Sequence, residues 1–276
     1  NQTQQNQPPR SLLLNRQLPW MVLLVGLCIT YFSQQIALSD ARQALQMRFD
    51  AQTQHLLHRI EQRLGDYRQI LRGTAGLFAA SRSVDREEFR DYIAALRLGE
   101  QHVGIQGIGY AQLVSGRDLA RHLTTIRQEG FPNFALNPPG ERSVYSSIIF
   151  VEPFDERNRL AFGYDMLTEP TRRAAMEHAR DSGQPAMSGK LHLVQDNGQK
   201  DQAGFLMYLP IYLNGSPGDT VEERRTNTQG WIYAAFRMND VMHELLEQQT
   251  LDMDVEVFDG QTATPETLMY DIDGQL

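Results

Sequence analysis

Cysteine is almost absent from this chain of 276 residues, which contains only Cys28. A single cysteine excludes an intramolecular disulfide, a C-x-x-C redox pair and a cysteine-based zinc site. Acidic residues are missing from positions 1–39, where Arg10 and Arg16 are the formal charges, so the rest of the chain carries −10 and the whole chain −8. An acidic body repels phosphate backbones, which excludes nucleic acid as an expected partner.

Charge of either sign is missing from residues 18–38, the longest apolar run in the chain. About 20 apolar residues cross the hydrocarbon core of a membrane, and this run reaches that length only by including Ser33, Gln34 and Gln35. The segment is therefore either an uncleaved signal anchor or the apolar part of a signal peptide. We favour a transmembrane anchor because no small-residue cleavage site follows it. The arginines before it predict that residues 1–17 are a cytoplasmic tail and that the body is periplasmic, in a bacterial inner-membrane protein.

Proline is missing from positions 20–131, and the first part of this span has the periodicity of one long helix. Apolar residues recur at helical spacing across residues 39–72 and form a narrow stripe with polar flanks. We predict a stalk helix that either packs on its own domain or forms a homodimer with a second copy. His55 and His58 could share a metal ion, but no third ligand accompanies them, so we expect a solvent-exposed helix face and no metal site.

From residue 73 onward, short helices alternate with strands. One helix is well marked at residues 168–182, with Thr168 as its expected N-cap and Gly183 after its end. Strand-like stretches surround it, at residues 144–154, 187–195 and 204–212. Short helices around a mostly antiparallel sheet predict an α+β fold of the PAS type.

The glycines of residues 104–110 are spaced G-x-x-G-x-G. A phosphate-binding loop would open a helix, whereas an apolar strand follows here, so the nucleotide-binding interpretation fails on its context. Glycines inside a strand are typical of positions where a ligand or another part of the chain approaches closely.

A series of motifs in this order resembles the CHASE domain over about residues 75–240. The motifs are Phe89-x-x-Tyr92, GIQGIGY at 104–110, Phe150-Val151-Glu152-Pro153, Phe162-Gly163-Tyr164-Asp165-Met166, Ala179-Arg180-Asp181-Ser182-Gly183 and Pro210-Ile211-Tyr212. CHASE is an extracellular sensory module, so the resemblance implies a small-molecule ligand outside the cell and a kinase, diguanylate cyclase or phosphodiesterase inside it. It also implies a long N-terminal helix carrying tandem PAS-like domains: a ligand-binding, membrane-distal one at residues 73–213, and a membrane-proximal one that begins, incomplete, within residues 214–276.

The resemblance also implies a ligand-binding site. In plant cytokinin receptors, the best understood members of the family that this chain resembles, the aspartate at the position of Asp165 binds an adenine-type ligand, and the main chain at the position of Met187 completes the contact. Physical reasoning leaves an alternative open, because a carboxylate beside a helix N-terminus could instead cap that helix or pair with Arg172 or Arg173. We expect the other ligand-binding residues to be Tyr110 and one face of the strand 204–212, namely Phe205, Met207 and Leu209.

No nucleophile or metal ligand accompanies Asp165 and Glu169, so we predict no catalytic residue and no cofactor. The sequence favours a sensory binding module. Two other classes stay open: a signal-anchored periplasmic hydrolase that uses carboxylates, and a ligandless dimerisation ectodomain whose pocket is filled by its own side chains.

Overall fold

A computed structural model describes residues 11–101, 104–196, 202–246 and 253–274. The chain forms two compact units, residues 1–57 and 58–276. Helix α1, Ser11–Ala80, begins in the first unit and ends in the second. It confirms the expected long N-terminal helix and continues eight residues past the predicted end of the stalk at position 72. Residues 1–10 of the predicted cytoplasmic tail lie outside the described residues.

The apolar stretch predicted as an anchor is part of α1, which is long and apolar enough to cross a membrane. Its large side chains are exposed throughout, among them Leu24 at 63% and Phe32 at 64%. Exposure of so many neighbouring apolar side chains is unfavourable in water and favourable in lipid. Leu45 and Phe49, four residues apart farther along the helix, are also exposed.

The second unit contains six further helices among the described residues. They are α2 (Arg86–Ala95), α3 (Leu98–Gln101), α4 (Leu119–Gln128), α5 (Pro170–Ser182), α6 (Val221–Asn227) and α7 (Met238–Leu246). Three of them, α2, α5 and α6, begin at a side-chain N-cap. Asp85, for example, forms a capping box at the start of α2, in which its side chain accepts from the amides of Glu87 and Glu88.

A five-stranded antiparallel sheet is the centre of this unit. Its strands are β1 (Ile105–Ser115), β2 (Val144–Glu152), β3 (Ala186–Met187), β4 (Gly204–Tyr212) and β5 (Thr228–Arg237). Their spatial order is β2-β1-β5-β4-β3, the arrangement of a PAS-type sheet, which confirms the expected α+β fold. Two further strands, β6 (Glu256–Phe258) and β7 (Leu268–Asp271), pair only with each other.

The position of β5 corrects the predicted domain boundary at residues 213 and 214. This strand was assigned to the membrane-proximal domain, but it pairs with both β1 and β4 and is the central strand of the distal sheet. The polar segment before it contains α6, which Thr220 caps. The membrane-proximal domain stays a prediction, of which the described residues contain the β6–β7 pair.

The strand predicted at residues 187–195 is much shorter in the structure, where β3 contains only Ala186 and Met187. Only Ala186 and Met187 pair regularly with β4, because the hydroxyl of Ser188 then accepts the amide of Leu206 and interrupts the ladder. Farther on, Leu191 makes one isolated bridge to Gly204.

The sheet has two apolar faces, and different helices cover them. Successive side chains of a strand point to opposite faces. One face, here called the α5 face, carries Leu206, Tyr208, Trp231 and Tyr233, which cluster with Met176 of α5. The other, the α1 face, is marked by two ring contacts: Phe205 stacks on Phe236 at 4.7 Å, and Phe236 lies 4.5 Å from Tyr67 of α1.

Candidate ligand-binding site

Helix α5 covers one face of the sheet, and its ends are set by local sequence. Its N-cap is Glu169, whose carboxylate accepts the amides of Thr171 and Arg172 at 2.9 and 2.8 Å. Burial tends to raise the pKa of Glu169, but these hydrogen bonds outweigh it and hold the pKa below its ordinary value. The predicted helix is confirmed, although its N-cap lies one residue after Thr168. At the other end, Gly183 has φ 69° and ends the helix in a left-handed conformation.

The helix is attached to the sheet by packing and by one buried hydrogen bond. Met176 and Ala179 are completely buried against the sheet. The indole Nε1 of Trp231 on β5 donates to the carbonyl oxygen of Met176 at 2.9 Å. This bond crosses from the sheet to the helix backbone, so it fixes the height of α5 above the sheet.

Two tyrosines lie next to each other beneath α5. Tyr208 on β4 is directly opposite Tyr233 on β5, and their ring centroids are 6.4 Å apart. They are 0% and 1% exposed. Neither hydroxyl has a hydrogen-bond partner in the described part of the chain. Burial raises the pKa of both phenols above its ordinary value, so both remain protonated and able to donate.

The ring of Tyr233 depends on a glycine in the neighbouring strand. Gly109 on β1 is opposite Tyr233, and a Cβ atom at Gly109 would lie 2.5 Å from the ring and 2.5 Å from the carbonyl oxygen of Phe150. Any other residue would therefore displace the tyrosine. The prediction that these glycines admit a close approach is met at this position, where the approaching group is a side chain.

Arg172, in the first turn of α5, is the buried cation of this region at 4% exposed. Its Nη2 donates to the carbonyl oxygen of His192 at 2.9 Å, and its Nη1 donates to the hydroxyl of Tyr164 at 3.4 Å. Arg172 lies four residues before Met176 and therefore on the same face of α5, the face that packs on the side of the sheet carrying Tyr208 and Tyr233. Burial raises the pKa of both phenols, and the charge of Arg172 opposes this effect. A cation and two hydroxyl donors are thus buried on the same side of the sheet, under α5.

Asp165, the main predicted site residue, is completely buried. Its Oδ1 accepts the amide of Ser146 at 2.8 Å and that of Leu167 at 3.2 Å. Its Oδ2 accepts the Nε of Arg142 at 3.0 Å. Asp165 thereby caps the short 3-10 helix Met166–Thr168 and forms an ion pair. The alternative of a helix cap with an arginine partner matches the kind of contact but not its location, because the capped helix is the 3-10 helix before α5, and the arginine is Arg142, not Arg172 or Arg173.

Met187 lies far from Asp165 in the sheet. The backbone at Asp165 bridges to Ser147 on the free edge of β2, whereas Met187 is in β3, at the opposite edge. All four other strands separate the two positions. The Met187 side chain is 48% exposed. The structure therefore does not bring the two expected ligand contacts side by side.

The other four predicted site residues lie on the α1 face. Phe205, Met207 and Leu209 are at most 7% exposed there, and Tyr110 packs 4.6 Å from Phe78 of α1. The hydroxyl of Tyr110 donates to the carbonyl oxygen of Gln229 at 3.1 Å. These residues belong to the packing between sheet and stalk helix, so the expected apolar wall is on the opposite face of the sheet from α5.

Sequence reasoning missed the residues that do converge. Alternation along residues 204–212 places Leu206 and Tyr208 on the face opposite Phe205, Met207 and Leu209, but both faces are apolar, so alternation alone does not indicate which one α5 covers. Tyr233 was missed because its strand was assigned to another domain. Arg172 was considered only as a partner for Asp165.

A second concavity is an open groove of about 710 Å³ that is lined by residues of α2, α4, β1 and β2. His122 of α4 lies in it, with its Nε2 at 2.9 Å from the Ser147 hydroxyl, and burial lowers the pKa of this histidine. Arg86, on the opposite wall, donates to the Ile149 carbonyl oxygen at 2.6 Å and to Glu129 at 3.2 Å.

A small PAS-type sheet with a buried polar group under its covering helix, preceded by a helix with a membrane-length apolar stretch, is typical of a sensory domain. The family profile of the CHASE domain matches residues 82–270. That is more than half of the chain, and the chain belongs to this family. The match includes β5, in agreement with the corrected boundary.

Curated proteins similar to this chain are signalling kinases. A probable histidine kinase 4 of Oryza sativa subsp. japonica is 24% identical over 193 residues, which cover 68% of this chain and 18% of the kinase. Hybrid signal transduction histidine kinase A of Dictyostelium discoideum is 25% identical over 182 residues, which cover 60% of this chain and 8% of that protein. The chain thus spans less than a fifth of the length of these relatives.

A comparison with solved structures finds the ligand-binding domain of the Pseudomonas aeruginosa PAO1 amino acid chemoreceptor PctC in complex with GABA. It is 13% identical, with a TM-score of 0.37, and the alignment covers 72% of this chain and 63% of that one.

Proposed function

We propose that this chain is the extracytoplasmic, ligand-sensing part of a transmembrane signalling receptor, and that it binds a small molecule on the α5 face. The observation that carries the proposal is the pair of buried, unpartnered hydroxyls of Tyr208 and Tyr233 beside Arg172. A buried polar group without a partner destabilises the fold, and such groups are retained where a ligand satisfies them.

A thermal-shift screen tests this function. The full chain in detergent is heated with purines, cytokinins, amino acids and fatty acids. A ligand at 100 times its dissociation constant stabilises by about 2.7 kcal/mol, which raises the melting temperature by about 5–11 °C for a domain of this size. A pocket filled only by its own side chains predicts no shift with any compound, which would favour the ligandless dimerisation ectodomain.

The family resemblance suggests a more specific proposal, in which an adenine-type ligand binds Asp165. Such a ligand would have to replace Arg142 as the hydrogen-bond donor to Oδ2 of Asp165, because Oδ1 already accepts from two backbone amides. A shift with cytokinins that Asp165→Asn abolishes would support this form. The carboxylate hydrolase has less support, since both oxygens of Asp165 and both of Glu169 accept hydrogen bonds from the protein.

We further infer that residues 18–38 anchor the chain in a bacterial inner membrane with its body in the periplasm. The exposed apolar surface of this part of α1 and the arginines before it support the inference. Alkaline phosphatase fused after Asp50 should be active, because that enzyme folds only outside the cytoplasm. A mature protein that starts near residue 40 would instead identify a cleaved signal peptide.

The stalk is proposed as the homodimer contact. Leu45 and Phe49 are 66% and 54% exposed on one side of α1, and apolar residues four apart are the usual seam of paired helices. Substituting both with glutamate should shift sedimentation of the detergent-solubilised chain toward the monomer, whereas Gln46→Glu, at an exposed polar position, should not. Equal self-association of all three proteins would place the interface elsewhere.

The output of the receptor is proposed to lie outside this chain. The curated relatives are histidine kinases, and this chain corresponds to a small part of each. A histidine kinase, or a diguanylate cyclase or phosphodiesterase, is therefore expected inside the cell, and no enzymatic activity is expected of this chain itself. Sequencing the gene beyond position 276 tests this expectation.

A further inference from the structure

The chemical class of the ligand follows from the groups beneath α5, provided that the proposed sensory function holds. We propose that the ligand is a small monocarboxylate whose carboxylate group binds between Arg172 and the hydroxyls of Tyr208 and Tyr233. This site is distinct from Asp165 and Met187, the positions that the family resemblance implies.

The first argument is the number and kind of donors. A carboxylate only accepts hydrogen bonds and has two oxygens to offer. Tyr208 and Tyr233 are protonated donors without a partner in the described residues. Arg172 uses one N–H toward His192 and one toward Tyr164, and a guanidinium carries further N–H groups. Donors therefore outnumber acceptors here, which favours an acceptor-only ligand group.

The second argument is charge. Arg172 is almost completely buried, and the nearest counter-charge is the carboxylate of Glu169 at 3.8 Å. At this distance Glu169 does not accept a hydrogen bond from the guanidinium, and its side chain is 30% exposed to solvent. One cation pairs with a single negative charge, whereas a dianion such as phosphate would bring excess negative charge into a buried region.

The third argument is size. The row of the sheet next to the tyrosines consists of Leu206 opposite Ala235, and Met176 of α5 covers this face. Leu206, Ala235 and Met176 are at most 3% exposed, so a ligand here has to insert among closely packed apolar side chains, which favours a short group. The part of the ligand beyond the carboxylate is therefore short and mostly apolar.

Matched pairs of compounds test the ligand class. The full chain in detergent is melted with propionate and propionamide, with butyrate and butyramide, and with L-alanine and L-alaninamide; inorganic phosphate and adenine are added separately. At least one carboxylate should raise the melting temperature where its amide does not. Stabilisation by amides or adenine but by no carboxylate would overturn the carboxylate proposal and leave the sensory function intact. Stabilisation by phosphate alone would likewise overturn it, and no shift with any compound would overturn both.

Isosteric variants test the location. Each tyrosine hydroxyl would donate a hydrogen bond to a charged carboxylate, and such bonds contribute strongly to affinity. Tyr208→Phe and Tyr233→Phe should therefore each weaken binding of the stabilising carboxylate about 10- to 150-fold, as measured by calorimetry. Tyr212→Phe is the matched control, because this residue is on the same strand and its hydroxyl donates to the carbonyl oxygen of Arg180 at 2.6 Å. It should leave the affinity unchanged. Equal affinity in all three variants would exclude the site beneath α5.

Discussion

Removing a hydroxyl from the candidate site should make the ligand-free protein more stable. A buried hydroxyl without a partner costs about 1–3 kcal/mol. Tyr208→Phe deletes that hydroxyl and keeps the ring, leaving a void of about 15 Å³ that costs about 0.4 kcal/mol. We therefore expect the free energy of unfolding to rise by about 0.5–2.5 kcal/mol, and we expect the same for Tyr233→Phe. For a domain of this size, the melting temperature should rise by about 1–10 °C.

Tyr212→Phe, the same substitution in the same strand, should instead lower the free energy of unfolding. Its hydroxyl makes a hydrogen bond at 2.6 Å, and losing a formed bond costs about 0.5–1.5 kcal/mol. Urea unfolding followed by tryptophan fluorescence is a suitable assay, because Trp231 is buried and bonded to α5. If Tyr208→Phe destabilises the ligand-free protein as much as Tyr212→Phe does, the Tyr208 hydroxyl has a partner in the protein, and the argument for a ligand beneath α5 fails.

Three further perturbations address other parts of the fold. Asp165→Ala should destabilise the protein by about 2–5 kcal/mol in urea melts, because it leaves two buried backbone amides and the half-buried Arg142 without their acceptor; a normal melt with lost ligand binding would instead support the cytokinin-type contact. Gly109→Ala should cost about 1–3 kcal/mol through overlap with the Tyr233 ring, and an unchanged melt would mean that the ring lies elsewhere. Burial lowers the pKa of His122 below its ordinary value of 6.5. The neutral histidine therefore contributes fully to the stability of the fold above pH 6.5, and this contribution is lost as the pH falls through the lowered pKa. His122→Gln should reduce the change in free energy of unfolding between pH 7 and pH 5, and an unaltered change would contradict this prediction.

Local signals were sufficient for two helices. The absence of proline from positions 20–131 and a regular apolar stripe predicted the part of α1 at residues 39–72, and a capping residue and a glycine predicted α5 within two residues at its start. These features depend on residues close together in sequence, because backbone hydrogen bonds of a helix join positions four apart. The alternation in β4 likewise indicated which side chains share a face. The order of motifs was enough to suggest the CHASE family.

The tertiary structure alone decided which residues form the candidate site. Strand β5 lies between β1 and β4, although more than a hundred residues separate it from β1. The residues near β5 in the sequence do not indicate which distant strands it pairs with. Both faces of β4 are apolar, so only the packing of α1 and α5 distinguishes Phe205, in the stalk contact, from Tyr208, beneath α5. Asp165 forms its ion pair with Arg142, not with an arginine of α5, because the backbone at Asp165 runs along the free edge of β2. Sequence periodicity specifies which side chains point together; long-range packing specifies what lies opposite them.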